Sequence, residues 1–537
     1  GGRDLGVHRG SQREEWFARR STMNVVNEVV FYAALAVGSY LVPKLLLIVY
    51  NFVRVLVTVR KIPLAENWKP IVGHTAALAS GVPWQLMKEW VLRDPAKPIV
   101  RIQVLARQCV VVYKAAHVKQ LLHTHVKHYT KDLEFSYTPF LPILGTGLVT
   151  SEGELWKKQR QLVMHAFRVE ILDEIIGVGL RAAKRLEAKL QEFIRDGEIP
   201  QLSEEFRKLT LQVIVEALMS LPADEADKVF PQVYLPIMEE ANKRVLAPWR
   251  GWFPTASARE HNGLNRVLNE YVLDIIQRRW DEKKRRGDTR LKREDILERV
   301  LQATMDSGKA WDQETKQQLA YEFKTFVLAG HETSAAMLTW ALYELVQNPA
   351  CMQRVRAEAE ATFALARGEE EALTKLVRNG SLDYTFAVLK EALRKYSVVP
   401  AVTRTCVKDD QYEVPSKGGK VDILTVPRGT TVILNIEAAH NDPTVWADPE
   451  KFDPERFLGD VDANREPYAF LPFIQGPRNC LGQHLALLEA RVVLAYLVRA
   501  FDFRPVSDDE GERAEKVVPV APAYGMQMHV TPRKQSS

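Results

Sequence analysis

The stretch Phe473-Ile474-Gln475-Gly476-Pro477-Arg478-Asn479-Cys480-Leu481-Gly482, near the end of a chain of 537 residues, places one cysteine between two glycines at the mouth of an apolar helix. The segment after it, Gln483 to Arg499, carries Leu485, Leu488, Val492, Leu494 and Leu497 with no glycine or proline, which is the pattern of a helix. A thiolate at Cys480 then stands at a helix N-terminus, where unpaired N–H groups and the dipole favour negative charge. That predicts a depressed thiol pKa and a soft metal ligand. Gly476 and Gly482 let the backbone turn tightly and approach the face of a flat cofactor. Arg478 can meet an anionic group on that cofactor, and Phe473 can cover the sulfur from water.

The loop reads Phe-x-x-Gly-x-Arg-x-Cys-x-Gly and resembles the haem-binding loop of the cytochromes P450. The resemblance implies that Cys480 ligates haem iron as a thiolate, which pushes electron density onto the iron and favours O–O cleavage. The bland alternative makes Cys480 a small core residue and Arg478 a surface charge.

With 46% hydrophobic residues the chain is large enough for one big domain or two ordinary ones, each with a sizeable core. Basic and acidic residues nearly balance, 73 against 68, and no basic block alternates with aromatics, so nucleic acid is excluded as the expected partner. Cys109, Cys351, Cys406 and Cys480 show no paired spacing, so the cysteines indicate neither a disulfide framework nor a zinc site. The body is expected in a reducing compartment.

Val29 to Val53 is mostly apolar, interrupted by Pro43 and Lys44, and can cross a bilayer if Lys44 snorkels or pairs; Tyr32, Tyr40 and Tyr50 suit interfacial depth. No small-x-small cleavage site precedes Arg54, Arg60 and Lys61, which predicts a retained anchor. Taking Met23 as the start removes Arg3, Arg9, Arg13, Arg19 and Arg20, and the positive-inside rule then puts the body on the cytosolic side of the endoplasmic reticulum. The plastid is the alternative, although Asp4, Glu14 and Glu15 make a poor transit peptide. The expected organisation is a leader over 1–23, anchor and hinge over 24–62, and a catalytic domain over 63–537.

In the body, Ile99–Val104 and Cys109–Tyr113 predict a hairpin, Ala115–His125 a helix, and Tyr137–Gly147 an apolar loop. Ser151 and Glu154 form a candidate capping box for a helix bearing Trp156 and Arg160 on one face. Upstream of the cysteine loop this pair resembles the family helix whose Trp and Arg reach the haem propionates. Ile171 to Lys284 reads as amphipathic helices broken near Pro200, Pro222, Pro248 and Pro254, with no assignable chemistry. Gly287–Lys292 is a charged surface turn.

Asp312 to Gln347 runs without proline and predicts one long helix. In its middle lies Ala329-Gly330-His331-Glu332-Thr333-Ser334, a polar cluster in an apolar run. The Thr333 hydroxyl can bond the Ala329 carbonyl, and Gly330 removes side-chain bulk, opening room for a ligand or water. Glu332 beside Thr333 suits proton relay. The cluster is similar to the family pattern Ala/Gly-Gly-x-Glu/Asp-Thr-Thr/Ser. His331 occupies a variable position and is not read as a ligand.

Glu391 and Arg394, one helical turn apart, can pair. With Arg456 they resemble the family's buried Glu-Arg-Arg network, a structural device. Pro400–Arg404 resembles the segment that sends an arginine to a propionate, and His440 another propionate neighbour. Lys157 and Lys158 are candidate docking charges for an acidic redox partner.

These resemblances imply a mainly α cytochrome P450 fold with a small β region behind an N-terminal anchor helix. They imply a haem-thiolate monooxygenase holding haem b. It would insert one atom of dioxygen into a small lipophilic substrate by hydroxylation or epoxidation. Electrons would come from NADPH through NADPH–cytochrome P450 reductase or a ferredoxin-type donor. A haem-thiolate isomerase or dehydratase of fatty-acid hydroperoxides and a non-catalytic haem sensor are the rival readings. Expected pocket residues are Phe135–Leu148, Phe326, Ala329, Thr333, Val399, Ala401, Val402 and Ala521–Met526. A membrane protein with so apolar a pocket suggests a fatty acid, sterol or isoprenoid.

Overall fold

Prolines divide the helical body where the sequence predicts. Helix α1 spans Gly153–Ala166 and α2 Val169–Asp196, and α2 closes before Pro200. Helix α3 (Leu202–Met219) closes before Pro222, α4 (Ala223–Leu246) before Pro248, and α5 (Ala256–Arg286) opens after Pro254 on the side-chain cap of Thr255. Helix α6 (Gln313–Gln347) runs 35 residues from an N-cap at Asp312, whose side chain accepts the Thr315 N–H at 2.8 Å. Helices α7 (Asp383–Tyr396) and α8 (Gln483–Ala500) complete the frame of the site.

The structure is a computed structural model that describes residue 39 and residues 42–134, 136–167, 169–246, 248–287, 294–514 and 519–533. The expected leader with Met23, most of the first half of the expected anchor with Tyr32 and Tyr40, the pocket candidate Phe135, and 288–292 of the surface turn lie outside the described residues. The chain divides into two units, 1–61 and 62–537. Within the first, Val42–Val59 is a helix of mean hydropathy 1.8, long and apolar enough to cross a membrane.

In the second unit, β1 (Val100–Val104) and β2 (Arg107–Val112) form the expected hairpin. With β3 (Tyr129–Lys131), β4 (Ala401–Cys406) and β7 (Thr431–Asn435) they make a sheet of order β1-β2-β7-β4-β3, in which only β2 and β7 run parallel. Strands β5 (Asp410–Pro415) and β6 (Val421–Val426) pair separately, as do β8 (Phe501–Pro505) and β9 (Met528–Pro532). Burial alternates along β5, the mark of a sheet with one solvated face.

The core lies around α6. Trp340 is fully buried, stacks on Tyr396 of α7 with ring centroids 4.0 Å apart, and donates its indole N–H to the Val520 carbonyl at 2.8 Å. Helix α3 crosses α6 closely enough that a Cβ at Gly330 would meet Ile214 Cγ1 at 2.7 Å. Helix packing thus adds a second constraint on Gly330, which also lines the cavity beside Cys480.

One local expectation fails and another is met with a change of helix type. Helix α1 begins after Glu152 with no side-chain cap, because the Ser151 hydroxyl bonds Gln159 at 2.6 Å and Glu154 pairs with Lys157. The expected helix Ala115–His125 is a short α-helix, Ala115–Lys119, continued by a π-helical turn, Gln120–Thr124.

Candidate active site

The loop before α8 is closed by its own backbone: Cys480 N–H donates to the Phe473 carbonyl at 2.9 Å, and Asn479 N–H to the Gly476 carbonyl at 3.1 Å. Gly476 has φ +81° and a Cβ there would meet the Leu122 carbonyl oxygen at 2.3 Å, so only glycine fits. Gly482 has an ordinary φ of −85°, and a Cβ on it would meet nothing within 4 Å. Its expected role in a tight turn is not found; the open space beside it belongs to a cavity.

That cavity, about 320 Å³, is bounded by Phe473, Cys480 and Gly482 from the loop, by Trp156 and Arg160 from α1, and by Ala329, Gly330 and Thr333 from α6. Cys480 is exposed to it. Burial raises the thiol pKa, opposed by the N–H of Gly482, the Arg160 guanidinium and the N–H of Gln483. The expected depression is thus overturned in the free thiol: the helix N-terminus and Arg160 act in the predicted direction, but desolvation outweighs them.

Arg160 donates to the Asn479 carbonyl at 2.9 Å and to the Asn479 side chain at 2.7 Å, fixing the residue before the cysteine. Arg478 lies over the Trp156 ring at 3.9 Å, pairs with Glu152 at 2.8 Å and donates to the Ser151 carbonyl at 3.0 Å. Arg404 faces Lys131 across the β3–β4 pair and donates to the Thr403 carbonyl at 2.8 Å; it does not itself line the cavity, so its expected direct contact with a propionate is not found. Burial beside Arg404 and Arg478 pushes the Lys131 ammonium down to about 7. Lys131, Arg404 and Arg478 thus converge where Glu152 is the acidic partner, Arg160 lines the same cavity, and a group bearing carboxylates would supply the missing negative charge. A flat, apolar macrocycle with two propionates fits both that cationic rim and the open face at Gly482.

His440 does not line the cavity. Its Nε2 accepts the Leu471 N–H at 2.8 Å and its Nδ1 meets the Ser397 hydroxyl at 2.9 Å. Burial and Arg394 push it down to about 3. Its expected place beside a propionate is therefore corrected: both ring nitrogens are used within the protein, and it holds the chain entering the cysteine loop.

On α6, which also lines the cavity, the Thr333 hydroxyl donates to the Ala329 carbonyl at 2.7 Å, as the sequence predicts. Glu332 is gripped by Arg207 of α3 through two bonds of 2.7 and 3.1 Å, with His331 Nε2 at 3.3 Å. Burial would raise its carboxyl, but His331 and Arg207 prevail and hold it down to about 2. Arg207 also pairs with Glu204 at 2.8 Å.

A second chamber of about 1070 Å³ shares Tyr137, Val149, Thr325, Ala329, Thr333 and Val399 with the first. Phe140, Leu144, Leu235, Met238 and Leu328 make it apolar, while Arg207, Asn242 and Lys243 add polar groups. The expected pocket residues Phe326, Ala329, Thr333, Val399 and Ala521–Gly525 line one chamber or the other; Ala401 and Val402 line neither.

Glu391 and Arg394 are fully buried and paired at 2.8 Å, with Arg456 at 3.4 Å from the same carboxylate. Arg394 donates to the carbonyls of His440 (3.1 Å) and Lys451 (3.2 Å), and Glu391 accepts the Asp453 N–H at 2.9 Å. Sequence reading missed Lys131, Arg207 and Glu152. Lys131 and Arg207 belong to no motif; the charge of Glu152 next to the cap position was the only hint.

A family model of cytochrome P450 matches residues 63–527. Cytochrome P450 4c21 of Blattella germanica is 30% identical over 418 residues, 75% of this chain and 80% of its own length. Cytochrome P450 4V2 of Homo sapiens is 28% identical over 490 residues, 86% of this chain and 88% of its own. The solved haem domain of cytochrome P450DA has the same fold, with a TM-score of 0.73 at 24% identity over 88% of this chain and 98% of that one.

Proposed function

The chain belongs to the cytochrome P450 family and is a haem-thiolate monooxygenase, and from that premise we propose that Cys480 is its iron ligand and that a lipophilic substrate is oxidised beneath Thr333. The observation that carries this reading is that Cys480 and the Thr333–Ala329 notch, from separate sequence motifs, line one cavity. Haem b, once bound, supplies dioxygen activation. Everything else is work for the chain. Arg160, Arg478 and Lys131 would hold the propionates, with Arg404 adding positive charge behind Lys131; Phe473 would cover the sulfur, and Gly482 would leave room for the macrocycle face.

Thr333 presents a hydroxyl, held by the Ala329 carbonyl, at which protons can be handed into the notch. Glu332 stores the charge that draws protons there. Because Arg207 keeps that carboxylate ionised, it accepts and passes a proton only when the clamp loosens. The larger chamber, apolar along most of its wall, orients an elongated lipid such as a fatty acid, sterol or isoprenoid and keeps bulk water out.

Electrons come from NADPH through a reductase with an acidic face. Lys157 and Lys158 are exposed on α1, the helix that also positions Arg160. Lys157 is already paired with Glu154, so Lys158→Glu is the sharper test: it should slow reduction severalfold and leave the CO-bound spectrum unaltered. The helix Val42–Val59 anchors the protein in the endoplasmic reticulum with the catalytic unit in the cytosol.

Two measurements test the reading. Cys480→Ser should abolish the CO-bound spectrum typical of sulfur ligation, and retention of that spectrum with activity refutes the assignment. Lipid extracts screened for a ligand that shifts the ferric spectrum should yield a substrate whose turnover stops without NADPH and reductase. Turnover of a hydroperoxide in their absence would make the protein an isomerase instead.

A further inference from the structure

Away from the cavity, the turns between the helix Ala115–Lys119 and β3 gather ligand chemistry that monooxygenation does not use. His125 follows the π-helical turn and His128 ends the one-turn helix Val126–His128. A backbone bond of 2.7 Å from His128 N–H to the His125 carbonyl sets the two imidazoles side by side, with ring centroids 5.0 Å apart. Opposite them stands Asp410, the first residue of β5, at 4% exposure. Its Oδ1 lies 2.8 Å from His125 Nδ1 and 3.8 Å from His128 Nδ1, and also accepts the Gln411 N–H at 2.9 Å. Its Oδ2 accepts the Tyr129 hydroxyl at 2.6 Å.

The three side chains offer ligand atoms that all lie within 4.8 Å of one another. Independently, His128 Nδ1 is shielded from solvent and has no hydrogen-bond partner among the described residues. A solvent-shielded imidazole nitrogen left without a partner is unfavourable, and a bound cation would relieve it.

We propose that His125, His128 and Asp410 form a binding site for a late first-row divalent cation, with Zn²⁺ the best fit. Two imidazole nitrogens and one carboxylate oxygen suit Zn²⁺, with water completing a tetrahedron. Mg²⁺ and Ca²⁺ need more oxygen ligands than this corner offers. Metal bonds of about 2.0–2.2 Å set ligand atoms roughly 3.3–3.5 Å apart. His125 and Asp410 therefore part slightly and His128 closes in, each by less than about 1 Å. Tyr129, bound to the far oxygen, holds the carboxylate in orientation.

The site is structural, and its placement shows what it steadies. Leu122, in the turn just before His125, presents the carbonyl against which Gly476 of the cysteine loop is packed. A cation tying that turn to β5 fixes the floor beneath the loop.

The test is a Zn²⁺ titration, against a competing chromophoric indicator, of the full-length haem-loaded protein after chelator treatment. Wild type should take up about one equivalent, and His128→Ala and His125→Asn should bind about tenfold more weakly or worse. His123→Ala removes an exposed histidine of the same turn and should bind like wild type. His125→Asn keeps an amide donor towards Asp410, so it retains the fold, as an unchanged CO-bound spectrum would verify. Uptake by wild type no greater than by His125→Asn overturns the proposal, as does loss of uptake in His123→Ala with retention in His125→Asn.

Discussion

Glu332 and Thr333 are neighbours in sequence, yet the partner that governs the carboxylate comes from another helix. The Arg207 fork and His331 hold Glu332 at about 2 against the upward pull of burial. A folded pKa below the ordinary carboxylate value contributes stability above that ordinary value and loses it only as pH falls through about 2. Wild-type turnover should therefore show no acid limb from Glu332 between about pH 5 and 8. In Arg207→Met, burial is opposed by His331 alone. The carboxyl should rise, an acid limb should enter the turnover–pH profile, and urea unfolding should reveal a loss of about 3 kcal/mol from an unpaired buried charge. Adding Glu332→Gln removes the stranded charge and should recover most of that stability. The pair Glu332-Thr333 was legible because it sits in one contiguous motif. Arg207 was not, because it lies 125 positions earlier in an ordinary amphipathic helix.

At the level of elements, the crossing of α3 over α6 depends on a missing methyl. Gly330→Ala drives a Cβ into Ile214 and should cost about 1–3 kcal/mol. In an Ile214→Ala background that cost should largely vanish, which a double-mutant cycle by urea unfolding measures directly. Glu322 of α6 offers a contrast with Glu332. It accepts the Leu148 N–H at 2.8 Å, and burial raises it to about 7. A raised folded pKa means stability that is complete below the ordinary value of 4.5 and is lost as pH climbs through about 7. Glu322→Gln should flatten that window and, by pH 8, exceed wild type by up to about 3 kcal/mol. Long elements such as α6 could be read from the sequence because proline spacing and an Asp312 cap mark their ends. The start of α1 could not. Ser151 and Glu154 have capping-box spacing, but Gln159 and Lys157 claim their side chains, and no local pattern records such competition.

Across the whole molecule, the cysteine loop is held from three directions by groups far apart in the chain. Arg160 fixes Asn479, His440 fixes Leu471, and the Glu391–Arg394 pair fixes the backbone at His440, Lys451 and Asp453. The sequence spacing shows that Glu391 and Arg394 can touch. It does not show that they are dry, and that decides their worth: an exposed pair would contribute under about 1 kcal/mol. Likewise, Lys131 is a single lysine in a three-residue strand, unreadable until β4 brings Arg404 beside it. Burial makes the network fragile in a particular way. Glu391→Gln leaves Arg394, with no exposed surface, facing a neutral amide and strands Arg456 as well, so a loss of about 3–5 kcal/mol is expected. Because Arg394 also carries the His440 carbonyl, the damage should reach the loop before the helices. On heating, the CO-bound spectrum of Glu391→Gln should decay well below the temperature at which far-UV circular dichroism is lost, whereas in wild type the two should fall together. Coincident transitions in the variant would mean that the network supports the fold as a whole and has no special hold on the cysteine loop.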